Sequence, residues 1–389
     1  MHAQDAAAQN FTTYFGGKPE GVWGAPGRVN LIGEHTDYNA GLVLPIALPQ
    51  RTYGAARKRD DGVLRLVSHG MGDPVEVKLE DIAPGAPSDW SRYPAGVVWA
   101  LRRAGHTITG LDIAFASEVP VGSGLSSSAA IEGAIAAPAS DLFGLGLLAD
   151  DAARATLAGL CQEAENEIAL APTGGMDQAA SLRCLEGYAL GLDCQDGSVT
   201  QVPLRLAEAD LVLLVINTRA SHANADGQYG SRRADCEAAC RELGVTALRA
   251  IDPGDLDDAL RQLSTDQLRR RVRHIVTEIQ RVRDAIVCLT SDDFAGLGRL
   301  FVASHLSMRD DYEISSPELD TAVATAMATG AIGARMTGGG FGGSAIALVP
   351  TASLDAVQMS ITDTFADEGY PAAPEFIVAS AAGGASRVG

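Results

Sequence analysis

Residues 24–39 read GAPGRVNLIGEHTDYN, and this stretch carries more polar chemistry than a turn between strands requires. Carboxylates are the strongest hydrogen-bond acceptors among side chains, so Glu34 and Asp37, together with His35, can bind adjacent hydroxyl groups of a sugar. Arg28 keeps its positive charge and suits the negative charge that develops on a phosphoryl group. The alternative interpretation is a solvated loop between strands with incidental charges.

A second candidate segment, PVGSGLSSSAA at residues 120–130, leads into an alanine-rich helix that we expect over 129–137. Glycines let backbone amides converge, and a helix N-terminus adds about half a positive charge, so the pattern favours phosphate binding. No lysine follows the glycines, so this is not the P-loop pattern, and the spacing also differs from a nucleophile elbow. A turn rich in glycine and serine, capped by serine, is the alternative.

A third candidate segment reads MTGGGFGGS at residues 336–344, and we place it between a helix and a strand over 345–349. A flexible linker is the alternative, but linkers rarely adjoin a strand with a buried, apolar pattern. Close approach of this backbone to another segment, or to a phosphate, explains the many glycines better.

Two carboxylates lie between the second and third segments. Glu165 is placed near the end of a predicted helix, and Asp177 in the loop that follows. One carboxylate is the expected ligand for the Mg²⁺ that accompanies ATP, and another can orient or deprotonate an acceptor hydroxyl. The alternative for each is an ordinary surface acid.

The composition is that of a globular protein with an acidic surface. With 389 residues, 46% hydrophobic and 20% charged, the chain is too long for one core and too apolar for disorder along its whole length. Its formal charge of −19 argues against nucleic acid and anionic membranes as partners.

The six cysteines form no C-x-x-C pair and are expected to be reduced structural thiols. We see no secretory signal or membrane span, and therefore expect a cytoplasmic protein.

Apolar patterning predicts an alternation of strands and helices. Strands are expected between 22 and 67 and at 111–117, 188–192, 199–204, 211–216 and 345–349. Helices are expected at 93–104, from 150 or 151 through 164, and at 232–243, 264–289 and 317–329. The pattern changes after Ser181, so we divide the chain into an N-terminal domain, 1–180, and a C-terminal domain, 181–389.

Taken in this order, the three segments resemble those of galactokinases, which share a superfamily with homoserine, mevalonate and phosphomevalonate kinases. GRVNLIGEHTDYN is similar to the galactokinase signature, whereas PVGSGLSSSAA and TGGGFGG are similar to motifs of the whole superfamily. The similarity extends from about Phe15 to near the C-terminus. It implies a two-domain α+β fold with mixed and antiparallel sheets, and an active site in the cleft between the domains. It also implies ATP-dependent phosphorylation of the anomeric C1 hydroxyl of galactose by direct in-line transfer.

The resemblance assigns roles to individual residues. Asp177 matches the catalytic carboxylate near the C1 hydroxyl, and Arg28 matches the arginine between that hydroxyl and the γ-phosphate. Ser127 and Glu165 match the Mg²⁺ ligands, with the neighbouring serines as alternatives to Ser127. The implied galactose-binding residues are Glu34, His35, Asp37, Gly174 (through its backbone), Asp177 and Tyr229. The implied ATP-binding residues are Gly122, Ser123, Gly124, Leu125, Ser126, Ser127, Ser128, Gly339 and Gly340.

Two places depart from the family pattern. Gly175 stands where relatives often carry a bulkier aliphatic residue, which can loosen the loop that holds Asp177. Pro94 and Ala95 follow Tyr93 where a longer or basic side chain is common, so the adenine contacts stay open. The alternatives are a kinase for N-acetylgalactosamine or arabinose, and a sensor of sugar and ATP without catalysis. We expect a monomer, with a dimer as the alternative.

Overall fold

The computed structural model describes residues 2–220 and 225–389. Its strands are β1 (Gly21–Asn30), β2 (Leu42–Val43), β3 (Pro45–Lys58), β4 (Val63–Ser68), β5 (Val75–Lys78), β6 (Leu111–Ser117), β7 (Tyr188–Asp193), β8 (Val199–Pro203), β9 (Leu211–Asn217), β10 (Gly333–Thr337), β11 (Ser344–Pro350), β12 (Glu375–Ala379) and β13 (Ser386–Arg387). Its α-helices are α1 (Ala3–Phe15), α2 (Arg92–Arg103), α3 (Ser127–Leu142), α4 (Asp151–Glu167), α5 (Met176–Arg183), α6 (Ala225–Leu243), α7 (Leu256–Gln262), α8 (Asp266–Thr290), α9 (Phe294–Ser307), α10 (Pro317–Ala328) and α11 (Leu354–Asp367).

A six-stranded sheet in the order β13-β1-β3-β6-β4-β5 supports the first half of the chain. β4 and β6 are parallel, and the other neighbouring strands run antiparallel. Every residue of β1 is buried, as expected for a strand whose two faces are both covered. Helix α3 packs against β1 and β3, so the segment 120–130 is held beside the strand that carries Arg28.

A four-stranded antiparallel sheet in the order β10-β11-β9-β12 supports the second half, and β2, β7 and β8 form a three-stranded sheet. Helix α8 buries Leu268, Val272, Ile275, Ile279 and Val282, which recur every three or four residues on one face. This face contributes both to the core of the second half and to a core shared by both halves. The mixture of helices with mostly antiparallel sheets confirms the predicted α+β class.

Several predicted elements are confirmed at close to residue resolution. The strand predicted at 111–117 is β6, Leu111–Ser117. The helix predicted from 150 or 151 is α4, and the Asp150 carboxylate accepts a hydrogen bond from Ala153 N at 2.9 Å, as an N-cap does.

Two predicted positions were wrong. Asp177 lies in the first turn of α5 and not in a loop, because the helix begins directly after Gly175. The glycine-rich segment connects β10 to β11 and does not follow a helix; β10 was missed because its five residues are all buried and show no alternation. The strand predicted at 211–216 is β9, which pairs antiparallel with β11 and β12, whereas β7 and β8 pair with each other in another sheet.

The division at residue 180 falls inside α5, and the last strand, β13, pairs with β1 near the start of the chain. The boundary between 1–180 and 181–389 therefore stays a prediction. Within residues 2–220 and 225–389, no helix has the length and apolar character needed to cross a membrane.

Candidate active site

The three segments identified in the sequence meet around one cleft of about 790 Å³. The predicted site residues that line it are Arg28, Glu34, His35, Asp37, Gly122, Gly124, Leu125, Ser126, Ser127, Ser128, Glu165, Asp177, Tyr229, Gly339 and Gly340. Ser123 does not face the cleft, because its hydroxyl is buried and donates to Pro120 O at 2.8 Å. Gly174 lies behind the lining, against the side chain of Asp37.

Arg28 lies near the end of β1 and pairs with Asp177 at two points. Its Nε donates to Asp177 Oδ1 and its Nη2 donates to Asp177 Oδ2, both at 2.8 Å. The remaining nitrogen, Nη1, donates to the carbonyl of Gly124 at 2.6 Å. A bidentate pair of this kind fixes both side chains, so Arg28 is held between the Asp177 carboxylate and the 120–130 segment.

Asp177 is held by its position in α5 as well as by Arg28. A carboxylate in the first turn of a helix lies at the positive end of the helix dipole. Ser126 also donates its hydroxyl to Asp177 Oδ2. Gly175 is the N-cap of α5 and has φ +88°, a conformation that glycine adopts without strain. Glycine therefore suits the backbone at this position, where the family pattern has a bulkier residue.

Glu34 is buried and is anchored by the second half of the chain. Its carboxylate accepts hydrogen bonds from the guanidinium of Arg335 and from Gly338 N, the latter at 3.1 Å to Oε1. Burial raises the pKa of Glu34, and the charge of Arg335 opposes this shift. The carboxylate lines the cleft, where it can accept a hydrogen bond from a ligand hydroxyl.

Asp37 begins a single 3₁₀ turn, Asp37–Asn39, and approaches both Asp177 and Gly174. A Cβ atom built on Gly174 would lie 2.2 Å from Asp37 Oδ2, so only glycine leaves room for this carboxylate. Burial raises the pKa of Asp37 to about 6, and the negative charge of Asp177 adds to the shift. Asp37 therefore titrates close to neutral pH.

His35 belongs to an aromatic cluster with Tyr38, Tyr229 and Tyr312. Its Nε2 lies 3.1 Å from the carbonyl of Gly339 and its Nδ1 lies 2.6 Å from the Tyr38 hydroxyl. Burial lowers the pKa of His35 to about 3, so the ring is neutral, with its hydrogen on Nε2. Both nitrogens are thus bonded within the protein, and the role of His35 in binding sugar hydroxyls stays a prediction. The Tyr229 ring, 4.9 Å from that of His35, forms the adjoining wall.

The 120–130 segment forms a loop that ends at the N-terminus of α3, which begins at Ser127. Two further contacts tie this loop to the other segments. Arg28 N donates to Leu125 O at 3.1 Å, and the Ser344 hydroxyl donates to Ser123 O at 2.7 Å. The open end of α3, with glycines and serines before it, offers backbone amides and hydroxyls to an anion.

Glu165 projects from the last turns of α4 into the cleft near Ser127 and Ser128. Burial raises the pKa of Glu165 to about 7, with a contribution from the charge of Asp177, whereas the Ser128 hydroxyl lowers it. Within the described part of the chain, no three His, Cys, Asp or Glu side chains are grouped to hold a metal ion. One carboxylate and one hydroxyl nevertheless suit Mg²⁺, which usually takes few protein ligands and completes its shell with phosphates and water.

Other residues of the cleft were not among the predicted site residues. Ser88, Leu170 and Phe341 line it, as do Arg92 and Tyr93 at the start of α2. Phe341 lies in the glycine-rich segment, where only the glycines were singled out, and the other four lie in segments without a clustered polar motif, so only the fold brings them to the site. Tyr93 precedes the Pro94-Ala95 pair at which the sequence left the adenine contacts open.

Known protein families and individual relatives match this chain over nearly its whole length. A family model of the galactokinase galactose-binding signature matches residues 9–58, and models of the GHMP kinases N terminal domain and the GHMP kinases C terminal match residues 92–184 and 285–367. The chain is 51% identical to a galactokinase of Streptomyces coelicolor over 382 residues, which cover 98% of this chain and 97% of the relative. It is 39% identical to a galactokinase of Homo sapiens over 388 residues, covering 97% and 95%.

The structure agrees with these relatives. A crystal structure of Lactococcus lactis galactokinase complexed with galactose matches with a TM-score of 0.93 and 32% identity, covering 99% of each chain. Separate matches to an N-terminal and a C-terminal kinase domain confirm the predicted two-domain fold. The chain belongs to the galactokinase family, within the GHMP kinases.

Proposed function

We propose that the protein transfers the γ-phosphoryl group of ATP to the anomeric C1 hydroxyl of D-galactose, giving galactose 1-phosphate and ADP. The observation that supports this most directly is the position of the Arg28–Asp177 pair. The pair lies in one cleft with the galactose signature on one side and the loop before α3 on the other. Family membership supplies the sugar and the nucleotide.

Galactose would occupy the part of the cleft around the signature. Glu34, Asp37 and Asp177 supply carboxylate acceptors for its hydroxyls, and the backbone of Gly174 lies beside Asp37. Tyr229 supplies an apolar wall beside His35. Sugars present many hydroxyl groups in fixed directions, so buried acceptors held by other residues give both affinity and selectivity.

ATP would place its phosphates over the loop Gly122–Ser128 and the turn that contains Gly339 and Gly340. The N-terminus of α3 provides the partial positive charge and free amides that a polyphosphate needs inside an acidic protein. Ser127 and Glu165 would hold Mg²⁺. When bound, the ion neutralises phosphate charge and fixes the orientation of the phosphate chain.

The transfer is proposed to be direct, with no phosphorylated protein intermediate. Arg28 lies next to Asp177, where it can offset negative charge on the transferred group. Arg28 and the Ser126 hydroxyl hold both oxygens of the Asp177 carboxylate, which fixes it in the cleft where it can accept a hydrogen bond from a hydroxyl. This supports a role in orienting the C1 hydroxyl, because a loose phosphoryl-transfer transition state needs little prior deprotonation.

The decisive experiment is incubation of the protein with Mg-ATP and galactose, followed by NMR identification of the phosphorylated carbon. Phosphate on C1 supports the proposal, and phosphate elsewhere or no product contradicts it. Parallel assays with N-acetylgalactosamine and arabinose test the related kinases, because a preference for either removes galactose as the substrate. Binding of both ligands without product would favour the sensor.

The predicted monomeric state, cytoplasmic location and domain boundary at residue 180 are part of the same proposal. Gel filtration with light scattering would test the monomeric state.

A further inference from the structure

At the edge of the cleft, three helices bring together Glu165 and two buried polar side chains to which the proposed mechanism gives no role. Glu132 comes from α3, Glu165 from α4 and Gln178 from α5. Glu132 is fully buried and Gln178 is 1% exposed, so both have lost their contact with water. Burying a polar group this completely destabilises the folded protein unless the group is hydrogen-bonded. The partners of Glu132 and Gln178 therefore indicate what these side chains do.

The amide of Gln178 links the two glutamates. Its Nε2 donates to Glu132 Oε2 at 3.0 Å and also donates to Glu165 Oε2. A primary amide carries two hydrogens, so each carboxylate receives one of them. Glu132 therefore fixes the plane of the Gln178 amide, and the amide in turn fixes one oxygen of Glu165.

The arrangement lies at the junction of the elements that form the phosphate side of the site. Glu132 is one helical turn beyond Ser128, at the spacing of four residues that places two side chains on the same face of α3. Gln178 directly follows Asp177 in the first turn of α5. Of the three, only Glu165 lines the cleft. Glu132 and Gln178 can therefore affect the site only through their link to Glu165.

We propose that Glu132 and Gln178 are positioning residues that orient the Glu165 carboxylate toward Mg²⁺. A long glutamate side chain has several rotatable bonds, and holding one oxygen in advance removes part of the ordering cost when the metal binds. Partners of this kind around a metal ligand are typically worth about 10- to 100-fold in metal affinity. The inference rests on the proposed role of Glu165 as a metal ligand.

The test measures metal binding directly, by electron paramagnetic resonance of Mn²⁺ with the full-length protein and a non-hydrolysable ATP analogue. E132M and Q178M remove the hydrogen-bond link from either end. We expect each to raise the Mn²⁺ dissociation constant by about 10- to 100-fold. Glu132 Oε1 accepts no hydrogen bond from the described residues, so E132Q keeps the oxygen that Gln178 uses and should bind Mn²⁺ within about threefold of wild type.

Two controls separate positioning from general damage. In S140A the change lies on the same helix, where the buried Ser140 hydroxyl accepts a bond from Leu147 N at 2.9 Å, and it should leave Mn²⁺ binding unchanged. Binding of galactose alone, and of the ATP analogue in excess chelator, should also be unchanged in E132M and Q178M, whereas a misfolded site would lose both.

The variant E165A separates the metal role of Glu165 from the positioning role of Glu132 and Gln178. If E165A weakens Mn²⁺ binding and E132M and Q178M do not, the inference is overturned and the proposed function stands. If E165A leaves Mn²⁺ binding unchanged, the metal role of Glu165 is wrong and the inference falls with it.

Discussion

Arg28 and Asp177 are 149 residues apart in the sequence, yet their side chains form a two-point ion pair with both N–O distances at 2.8 Å. Arg28 comes from a buried strand and Asp177 from the first turn of a helix, so both side chains project from rigid elements. The pair lies between the 24–39 segment and the 120–130 segment, which line the proposed sugar and phosphate sides of the cleft. A catalytic group set on rigid elements keeps its geometry without help from bound ligands.

Replacing Asp177 with Asn should abolish most turnover while galactose still binds. The amide would place an NH₂ group against the Arg28 guanidinium, so the two-point pair is lost along with the negative charge. We expect kcat to fall by at least about 100-fold, the usual weight of a positioned acid or base, with the dissociation constant for galactose changed by less than about fivefold. Single-turnover assays and calorimetric titration measure the two quantities, and near-normal kcat would remove the role of Asp177.

Replacing Gly174 with Ala should damage galactose binding selectively. The new Cβ would lie 2.2 Å from Asp37 Oδ2 and 2.3 Å from Asp37 Cγ, so the carboxylate must move. We expect the KM for galactose to rise by about tenfold or more, which corresponds to the loss of one charged hydrogen bond, while the KM for ATP changes little.

The matched control is Gly159→Ala. Gly159 lies within α4, and a methyl group added to it would meet no atom within 4 Å. Alanine there should therefore leave both KM values unchanged and stabilise the helix by up to about 1 kcal/mol. Equal KM values for galactose in G174A and G159A would show that Asp37 does not need the space beside Gly174.

Galactose affinity should fall as the pH is lowered through about 6. Burial and the charge of Asp177 raise the pKa of Asp37 to about 6, so the carboxylate is mostly ionised at pH 7 and mostly protonated at pH 5. The ionised form offers acceptors to the sugar, and its share falls by about tenfold between these pH values, so the dissociation constant should rise about tenfold.

The measurement is calorimetric titration of galactose without ATP or Mg²⁺, so that galactose binding alone is observed, and D37N identifies the part of the pH dependence that belongs to Asp37. Binding that requires ionised Asp37 releases protons near pH 6, so the observed enthalpy should differ between buffers of different ionisation enthalpy. In D37N the remaining affinity should be flat from pH 5 to 7. Equal wild-type affinity at both pH values would contradict the assignment.

The sequence predicts the residues that line the site better than the buried side chains that contact them. Arg28, Glu34, His35 and Asp37 fall within one short polar stretch, and that clustering is visible without a structure. Arg335 was missed because a single arginine in a short buried strand forms no pattern, although its guanidinium contacts Glu34 across 301 residues of sequence. Glu132 was missed because one acid in an alanine-rich helix resembles a solvent-exposed residue until the packing of three helices is known.

The fold shows the same limit. Strand β6 was predicted to the residue, because the alternation along 111–117 is a pattern that neighbouring residues carry by themselves. β13 has two residues, and its pairing with β1 closes the chain over more than 300 positions, so no local pattern could indicate it. Asp177 was placed in a loop because Pro172 and two glycines precede it, and glycine also permits the abrupt helix start that the structure has.

Replacing Arg335 with Met should destabilise the protein strongly, because Arg335 is a fully buried cation that contacts two buried glutamates. It donates to Leu31 O at 2.7 Å, contacts the Glu34 carboxylate, and lies 3.6 Å from Glu278 Oε1. Methionine would leave both glutamates buried without this charge, a change that typically costs about 3–5 kcal/mol. Arg309→Met is the control, since its pair with Asp310 is exposed and worth less than about 1 kcal/mol. Chemical denaturation of the two variants measures the difference, and equal free energies of unfolding would show that Arg335 does not hold the signature segment in place.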